Sequence, residues 1–537
     1  MMAANGTAVT SDEALQYRSA GWWSDTTLSE CVRRNAAQSP DKPAYVDFSP
    51  DSPDRLLTWS EYDRAATNLA QQLLVLGVAP GDGVAVWHRD ASAIHVLLMA
   101  IERCGAVTVG LGARAGVREV AQILRTTRPV LVLSDDELHH PATQAAADAD
   151  PTLRTVAIGI NFDELSINTG PRPDAPDGVS PVGPDDVFLI NSTSGTTGLP
   201  KCVVHTQNRW HYFHQKAVAN GELTADDVFL PVIPTPFGFG IWTSHTTPTY
   251  LGATALRIAH FDAGATCAAI ARHKVTVLCC VSTQLAMIAT YHAFRDHDVS
   301  SLRVVFTGGE PLPYTQAAQF EELTGATILQ FYGSNETGML SATTVADPLD
   351  RRLRTAGRIV PEMRVRFFDG DRDVTASGCG QPACRGPATS LGYLGGTDHD
   401  KLFTKDGWMR MGDVCVLDVD GYLTVTGRTS DFILRGGKNI SAVQVEDAVA
   451  THPAVAVAAA VAMPDPVFGE RVCVFVELKE ASVLDLPTLV EHLLQQGVSK
   501  ELLPERLEVL DELPRSSGGK IAKGQLREEI RSKLERP

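Results

Sequence analysis

The chain has 537 residues, 44% of them hydrophobic and 21% charged, which is apolar matter for more than one packed core and points to two or more domains. Its 64 Asp and Glu outnumber its 47 Lys and Arg, a formal net charge of -17. That balance excludes nucleic acid or an anionic membrane surface as the main partner, because both need clustered cations.

The N-terminal stretch "MMAANGTAVTSDEALQYRSAGWW" has no basic region followed by an apolar one, so no signal peptide is expected. From Thr58 to Ser134 helical and strand patterns alternate: "TWSEYDRAATNLAQQLLVLG" has helical spacing with Ser60 and Asp63 as its cap, "GDGVAVWH" reads as a strand, "ASAIHVLLMAIERCGA" as a helix and "PVLVLSD" as a strand. Such alternation predicts a largely parallel sheet covered by helices. "HHPATQAAADADP" (139–151) and the Pro/Gly-rich run 168–186 are expected to be loops. Further on, "VTVLCCVST", "LRVVFTGGE" and "ATILQFYGSNETG" are apolar strands that each run into a polar loop. In open parallel sheets ligands bind at those carboxyl ends, so these loops are expected to meet at one crevice. Past Gly357 shorter strands and turns follow, and the last hundred or so residues read as a small α+β unit. The longest apolar runs fall short of a membrane span. The ten cysteines are scattered, without a C-x-x-C pair, as expected of reduced, mostly buried thiols in a cytoplasmic protein.

The most chemically loaded segment is "STSGTTGLPK" (192–201). Gly195 and Gly198 let backbone approach a ligand closely. Thr193, Ser194, Thr196 and Thr197 offer hydroxyls, and Lys201 a point charge suited to phosphate. It is not a P-loop, because Pro200 precedes the lysine. Read alone, it is equally a flexible surface loop.

It is followed, in order, by "QFYGSNETG", "GWMRMGDVCVLDVDGYLTVTGRTSDFILRGGKNIS" and "LPRSSGGKIAKGQLRE". With these four segments in this order, nearly the whole chain resembles the adenylate-forming superfamily, in its acyl- and aryl-CoA ligase branch. The resemblance implies an α/β fold: a large N-terminal domain (1–429) of mostly parallel, helix-covered sheets with a distorted barrel-like β region, and a small mobile α+β C-terminal domain (430–537). It also implies roles. Residues 193–201 would hold the β- and γ-phosphates of ATP. Gly308, Gly309 and Glu310 would lie beside adenine, with Tyr332 stacked on it next to Gly333. Glu336 would be the Mg2+-associated carboxylate, with Asn335 where relatives carry Thr and able to donate its amide to phosphate. Asp413 and Arg428 would hold the ribose hydroxyls, and Lys520 would be the catalytic lysine. The hinge would fall at Ser430, where relatives carry Asp or Lys. Gly436, Gly437 and Lys438 would line the pantetheine channel, with Arg435 and Lys438 meeting CoA phosphates.

Physical logic points the same way. A carboxylate attacking an α-phosphate brings two anions together, so catalysis consists mainly of charge neutralisation and positioning. Each residue also has a plain structural use: Glu336 as a helix cap, Asp413 and Arg428 as an ion pair, Lys520 as a solvated lysine.

For the acid, "PTPFGFGIWTSH" (234–245) has neither the Asp of amino-acid-activating relatives nor the Asn of those taking hydroxybenzoates. It offers Phe237, Gly238, Phe239 and Trp242, with Ser282, Thr283 and Met339 as further lining candidates, a wall for an aliphatic, alicyclic or aromatic acid. The expected activity is ATP- and Mg2+-dependent acyl-adenylate formation followed by transfer to CoA. The alternatives are transfer to a separate carrier protein's pantetheine or to a non-thiol acceptor such as an amine, and a nucleotide-binding protein without turnover.

Overall fold

The computed structural model of the protein describes residues 9–158, 181–193, 201–395, 399–428, 432–435, 438–516 and 520–535. Their strands form four sheets. One has six strands in the order Arg154–Ala157, Leu131–Ser134, Gly83–Trp87, Val107–Leu111, Val187–Thr193 and Lys201–Thr206, parallel except for the last, which turns back as a hairpin. A second has nine strands. Its parallel centre contains Val277–Cys279, Val304–Gly308 and Thr327–Ser334, and its two ends close in antiparallel pairs. The shorter strands from Arg364 to Arg428 make a third, antiparallel sheet that includes the hairpin Asp413–Leu417 and Leu423–Arg428.

Strands from Phe432 onward pair only with one another among the described residues, in a sheet of five. The two-residue period of Val455–Asp465 explains how this small unit closes. Val457, Ala459, Val461 and Met463 pack on Leu526 and Ile530 of the helix Lys523–Glu535. Val455 and Ala460 face Val445, Val449, Leu489 and Leu493. One sheet thus separates two small cores.

Local chemistry explains where the elements begin. The helix Trp59–Val75 is capped by Thr58, whose hydroxyl accepts from the backbone of Glu61 while the Glu61 carboxylate accepts from the backbone of Thr58. The cap expected at Ser60 is therefore displaced, because Ser60 already lies in the first turn. Residues 139–149, expected as loop, form the helix His139–Ala149. Ala142, Ala145 and Ala146 bury one face of it, and Pro141 sits in the first turn, where no intrahelical N–H is lost. The strand expected over 275–283 is only Val277–Cys279, and Ser282 already begins a helix. All ten cysteines are free and nine are buried. No helix of the described residues is long and apolar enough to cross a membrane.

Candidate nucleotide and acid site

The three strand ends expected to meet do so side by side. Val304–Gly308 ends in a turn at Gly309, whose φ of 79° is left-handed and favours glycine. A Cβ added to Gly309 would lie 3.0 Å from the Lys520 ammonium, so the lysine from the C-terminal segment stands directly over this turn. Glu310, next in the chain, is held from the neighbouring helix start. Its carboxylate accepts from the hydroxyl of Ser282 at 3.1 Å and from the hydroxyl of Thr283 at 2.8 Å. These two residues, expected to line an acid pocket, anchor the glutamate.

The next strand, Thr327–Ser334, places Tyr332 so that its hydroxyl donates to Asp413 Oδ2 at 2.8 Å. Burial first, and the Asp413 carboxylate second, push the phenol well above its ordinary pKa, so it stays a donor. Asp413 faces Arg428 directly across the antiparallel pair. The strand turns back at Gly338, and the turn is tied by Ser334 and Thr337, each backbone N–H donating to the other's hydroxyl. Gly333 is needed there, because a Cβ would fall 1.7 Å from the carbonyl of Gly338. The turn projects Asn335 and Glu336. Glu336 Oε1 accepts from the hydroxyl of Tyr393 at 2.7 Å, and the Lys201 ammonium stands 5.0 Å from that tyrosine's ring centre. Tyr393 was not singled out from the sequence. It arrives here because residues 391–394 lie along the strand that follows the Thr-rich loop.

Asn335 has a partner that the sequence did not suggest. One N–H of its amide donates to Asn191 Oδ1 at 2.6 Å. Behind Asn191 stand His205 and Arg209, both also missed in the sequence. Arg209 is fully buried, donates from Nε to the Ala388 carbonyl at 2.6 Å and contacts His205 Nδ1. Burial pushes its pKa down to about 9, with Glu336 pulling the other way.

On the acid side, Phe237 leads into the short helix Gly238–Ile241, which continues as the π-helical turn Trp242–Thr246. Gly240 is held 1.9 Å, measured from an added Cβ, from the Pro234 carbonyl. Gly110 permits the approach of the same segment, since a Cβ there would fall 2.9 Å from Pro236 Cβ. Phe237, Gly238 and Phe239 remain half-buried. Trp242 and Met339 are each 1% exposed and belong to the core, Trp242 packing edge-on to Phe306 and Phe331. Arg435 donates to Glu505 at 2.5 Å and to the Glu501 carbonyl at 3.1 Å.

Of the remaining expected residues, Ser194, Gly195, Thr196, Thr197, Gly198, Ser430, Gly436 and Gly437 lie outside the described residues, as do the side chains of Thr193, Arg428 and Lys438.

A family model described as AMP-binding enzyme matches residues 32–394, and one described as AMP-binding enzyme C-terminal domain matches residues 444–520. The chain belongs to the AMP-binding enzymes. A medium-chain fatty-acid–CoA ligase of Escherichia coli is 30% identical to this AMP-binding enzyme over 544 residues, covering 96% of this chain and 93% of that protein. A salicyl-AMP ligase / salicyl-S-ArCP synthetase of Mycobacterium tuberculosis is 32% identical over 531 residues, covering 95% and 92%. An anthranilate CoA ligase, AuaEII, solved with anthranoyl-AMP, shares the fold with a TM-score of 0.85 at 24% identity, over 95% of this chain and 98% of that one. The protein is thus an adenylate-forming, ATP-dependent ligase with the large α/β domain and smaller C-terminal domain of that family.

Proposed function

We propose that this AMP-binding enzyme converts an aliphatic, alicyclic or aromatic carboxylic acid into its acyl-adenylate, releasing pyrophosphate, and passes the acyl group to the thiol of CoA. The observation that carries the reading is the position of Lys520 over the Gly309 turn, on the edge where Tyr332, Asp413 and Glu336 also stand. An ammonium there can neutralise charge as the two anions meet at the α-phosphate. Asp413 and Arg428 take the ribose hydroxyls, Tyr332 the adenine, and residues 193–201 the outer phosphates.

Glu336 would be the carboxylate that holds a Mg2+, and among the described residues no group of three or more metal-ligating side chains occurs. A bound Mg2+ would offset charge on the phosphates. The chain would divide at 429/430, with Ser430 as the hinge about which the C-terminal part exchanges Lys520 for Gly436, Gly437 and Lys438 beside the thiol.

A second reading replaces CoA by a carrier-protein pantetheine or an amine. It is favoured by Arg435, whose guanidinium is engaged by Glu505 and the Glu501 carbonyl rather than offered to CoA phosphates. Pyrophosphate release over a panel of acids, with and without CoA, tests both. Thioester formed only with CoA supports the first reading, and turnover indifferent to CoA but dependent on a carrier protein or amine supports the second. No pyrophosphate with any acid overturns adenylation itself.

A further inference from the structure

The amide of Asn191 is a junction between segments. The residue lies in the strand Val187–Thr193, which runs into the Thr-rich segment, and is 1% exposed. Its Oδ1 accepts from His205 Nε2 at 2.7 Å and from Asn335 Nδ2 at 2.6 Å. Its Nδ2 donates to the carbonyl of Pro236 at 2.9 Å. One side chain therefore holds both the turn that carries Asn335 and Glu336 and the segment that leads through Phe237 into the short helix Gly238–Ile241.

The polarity of this junction is fixed from behind. A guanidinium can only donate, so His205 Nδ1, which faces Arg209, is the acceptor. Burial and the nearby guanidinium keep the imidazole neutral, which leaves its single N–H on Nε2. That N–H needs an acceptor, and Asn191 Oδ1 is the one it meets. Turning the Asn191 amide over would set its oxygen against the Pro236 carbonyl and its N–H groups against two donors, leaving buried polar atoms unsatisfied. The sheet also makes room for the contact. Gly110 pairs with Asn191 on the neighbouring strand, and a Cβ there would fall 2.9 Å from Pro236 Cβ. The acid-side segment is thus admitted at one strand position and held at the one beside it.

We infer that Asn191 is a positioning residue that couples the two halves of the site: nucleotide bound at the Asn335–Glu336 turn steadies residues 234–246 through this one amide, and so orders the wall that meets the acid. The inference rests on the proposed adenylation reading, which puts phosphates at that turn and the acid beside Phe237. Asn191 itself is closed off from ligands by its burial, so its part is to hold the two segments in register.

Amide hydrogen exchange of the full-length protein, followed by mass spectrometry, tests the coupling with Mg2+ and α,β-methylene-ATP as the only ligands. In the wild type the nucleotide should slow exchange over both 327–338 and 234–246, by about tenfold, the scale of one buried hydrogen bond. Asn191→Asp keeps an acceptor for His205 and Asn335 but loses the N–H that the Pro236 carbonyl receives. Asn191→Leu removes both ends. Each should keep the slowing over 327–338 and lose most of it over 234–246. The aspartate variant, nearly identical in size, carries the test if the leucine variant does not fold. No slowing over 234–246 in the wild type, or slowing there that is undiminished in Asn191→Asp, overturns the coupling. Loss over both segments in Asn191→Asp also overturns it, because the residue would then support the nucleotide site as a whole. Pyrophosphate release over the panel of acids reports separately on adenylation, whereas the exchange experiment needs only nucleotide binding, so either reading can fail without the other.

Discussion

The hydroxyl of Tyr332 donates to Asp413 Oδ2 across 2.8 Å and joins the strand Thr327–Ser334 to the strand Asp413–Leu417. In the proposed roles, Tyr332 at the adenine and Asp413 at the ribose are coupled through this one hydrogen bond, to which Cys415 Sγ adds a weaker contact with the same hydroxyl at 3.4 Å. Tyr332→Phe keeps the ring and frees the carboxylate. A hydrogen bond to a charged acceptor is worth about 1.5–3 kcal/mol, so KM for ATP should rise about tenfold or more with kcat little changed. Discrimination between ATP and 3′-deoxy-ATP should fall in the same variant. Unaltered discrimination would separate Asp413 from the ribose.

Lys520 and Gly309 make a second linked pair. Lys520→Ala should reduce adenylation by about a hundredfold or more, the effect of removing one preorganised charge-stabilising group, while ATP affinity measured by equilibrium binding stays close to wild type. Gly309→Ala should act on the same step from the other side. It forces a left-handed φ on a residue with a side chain and puts a methyl 3.0 Å from the ammonium. Both variants should melt near the wild-type temperature, because neither alters a core contact. Normal adenylation by Lys520→Ala would remove the lysine from the chemistry.

Tyr393→Phe tests how Glu336 is held. The tyrosine hydroxyl fixes one carboxylate oxygen at 2.7 Å. Losing an outer partner of a metal-associated carboxylate typically weakens metal binding by about tenfold or more. The half-saturating Mg2+ concentration for nucleotide-dependent binding, read by calorimetry, should rise by about that factor. An unchanged Mg2+ dependence would leave Glu336 as a purely structural acceptor.

Much of this was legible in the chain. Apolar strands ending in "TGGE" and "YGSNETG" announced the crevice because strand period and glycine turns are local signals. The resemblance names Asp413 and Arg428 together, and the hairpin register sets them opposite each other. What was not legible depends on contacts between distant segments. Tyr393 reaches Glu336 only because residues 391–394 add to the strand Lys201–Thr206. Arg209 reads as an ordinary helix-surface arginine until its neighbours bury it. Trp242 reads from the sequence equally as pocket wall or as core, and it packs on three rings from different strands and helices, Phe213, Phe306 and Phe331. The helix His139–Ala149 was hidden by its histidines and proline, although its alanines carried the right spacing.

Asp447 offers a test of the C-terminal unit by pH. It is exposed on the helix Ala442–Val449, where desolvation by the surrounding protein raises its pKa to about 7, with Glu446 adding to the rise and Lys523 opposing it. Lys523 is itself drawn to Glu446 at 2.6 Å, and the Glu446 carboxylate also accepts from the backbone of Ala460 at 2.7 Å. An aspartate in the unfolded chain titrates near the ordinary value of about 3.9. Between the two values the folded state keeps a proton that the unfolded state has released, so folding takes up a proton and stability falls as pH rises through this window. Above about pH 7 the cost of the ionised carboxylate is present, reduced by solvent screening. Asp447→Asn keeps the shape and removes the charge. It should therefore match the wild type at about pH 4 and exceed it at about pH 8 by about 1 kcal/mol or less, because the exposed carboxylate is screened by solvent. Urea unfolding at the two pH values, followed by fluorescence and circular dichroism, reads the difference. A constant offset between variant and wild type across the window would mean that Asp447 is ionised in the folded protein throughout, with its charge met by solvent or by Lys523.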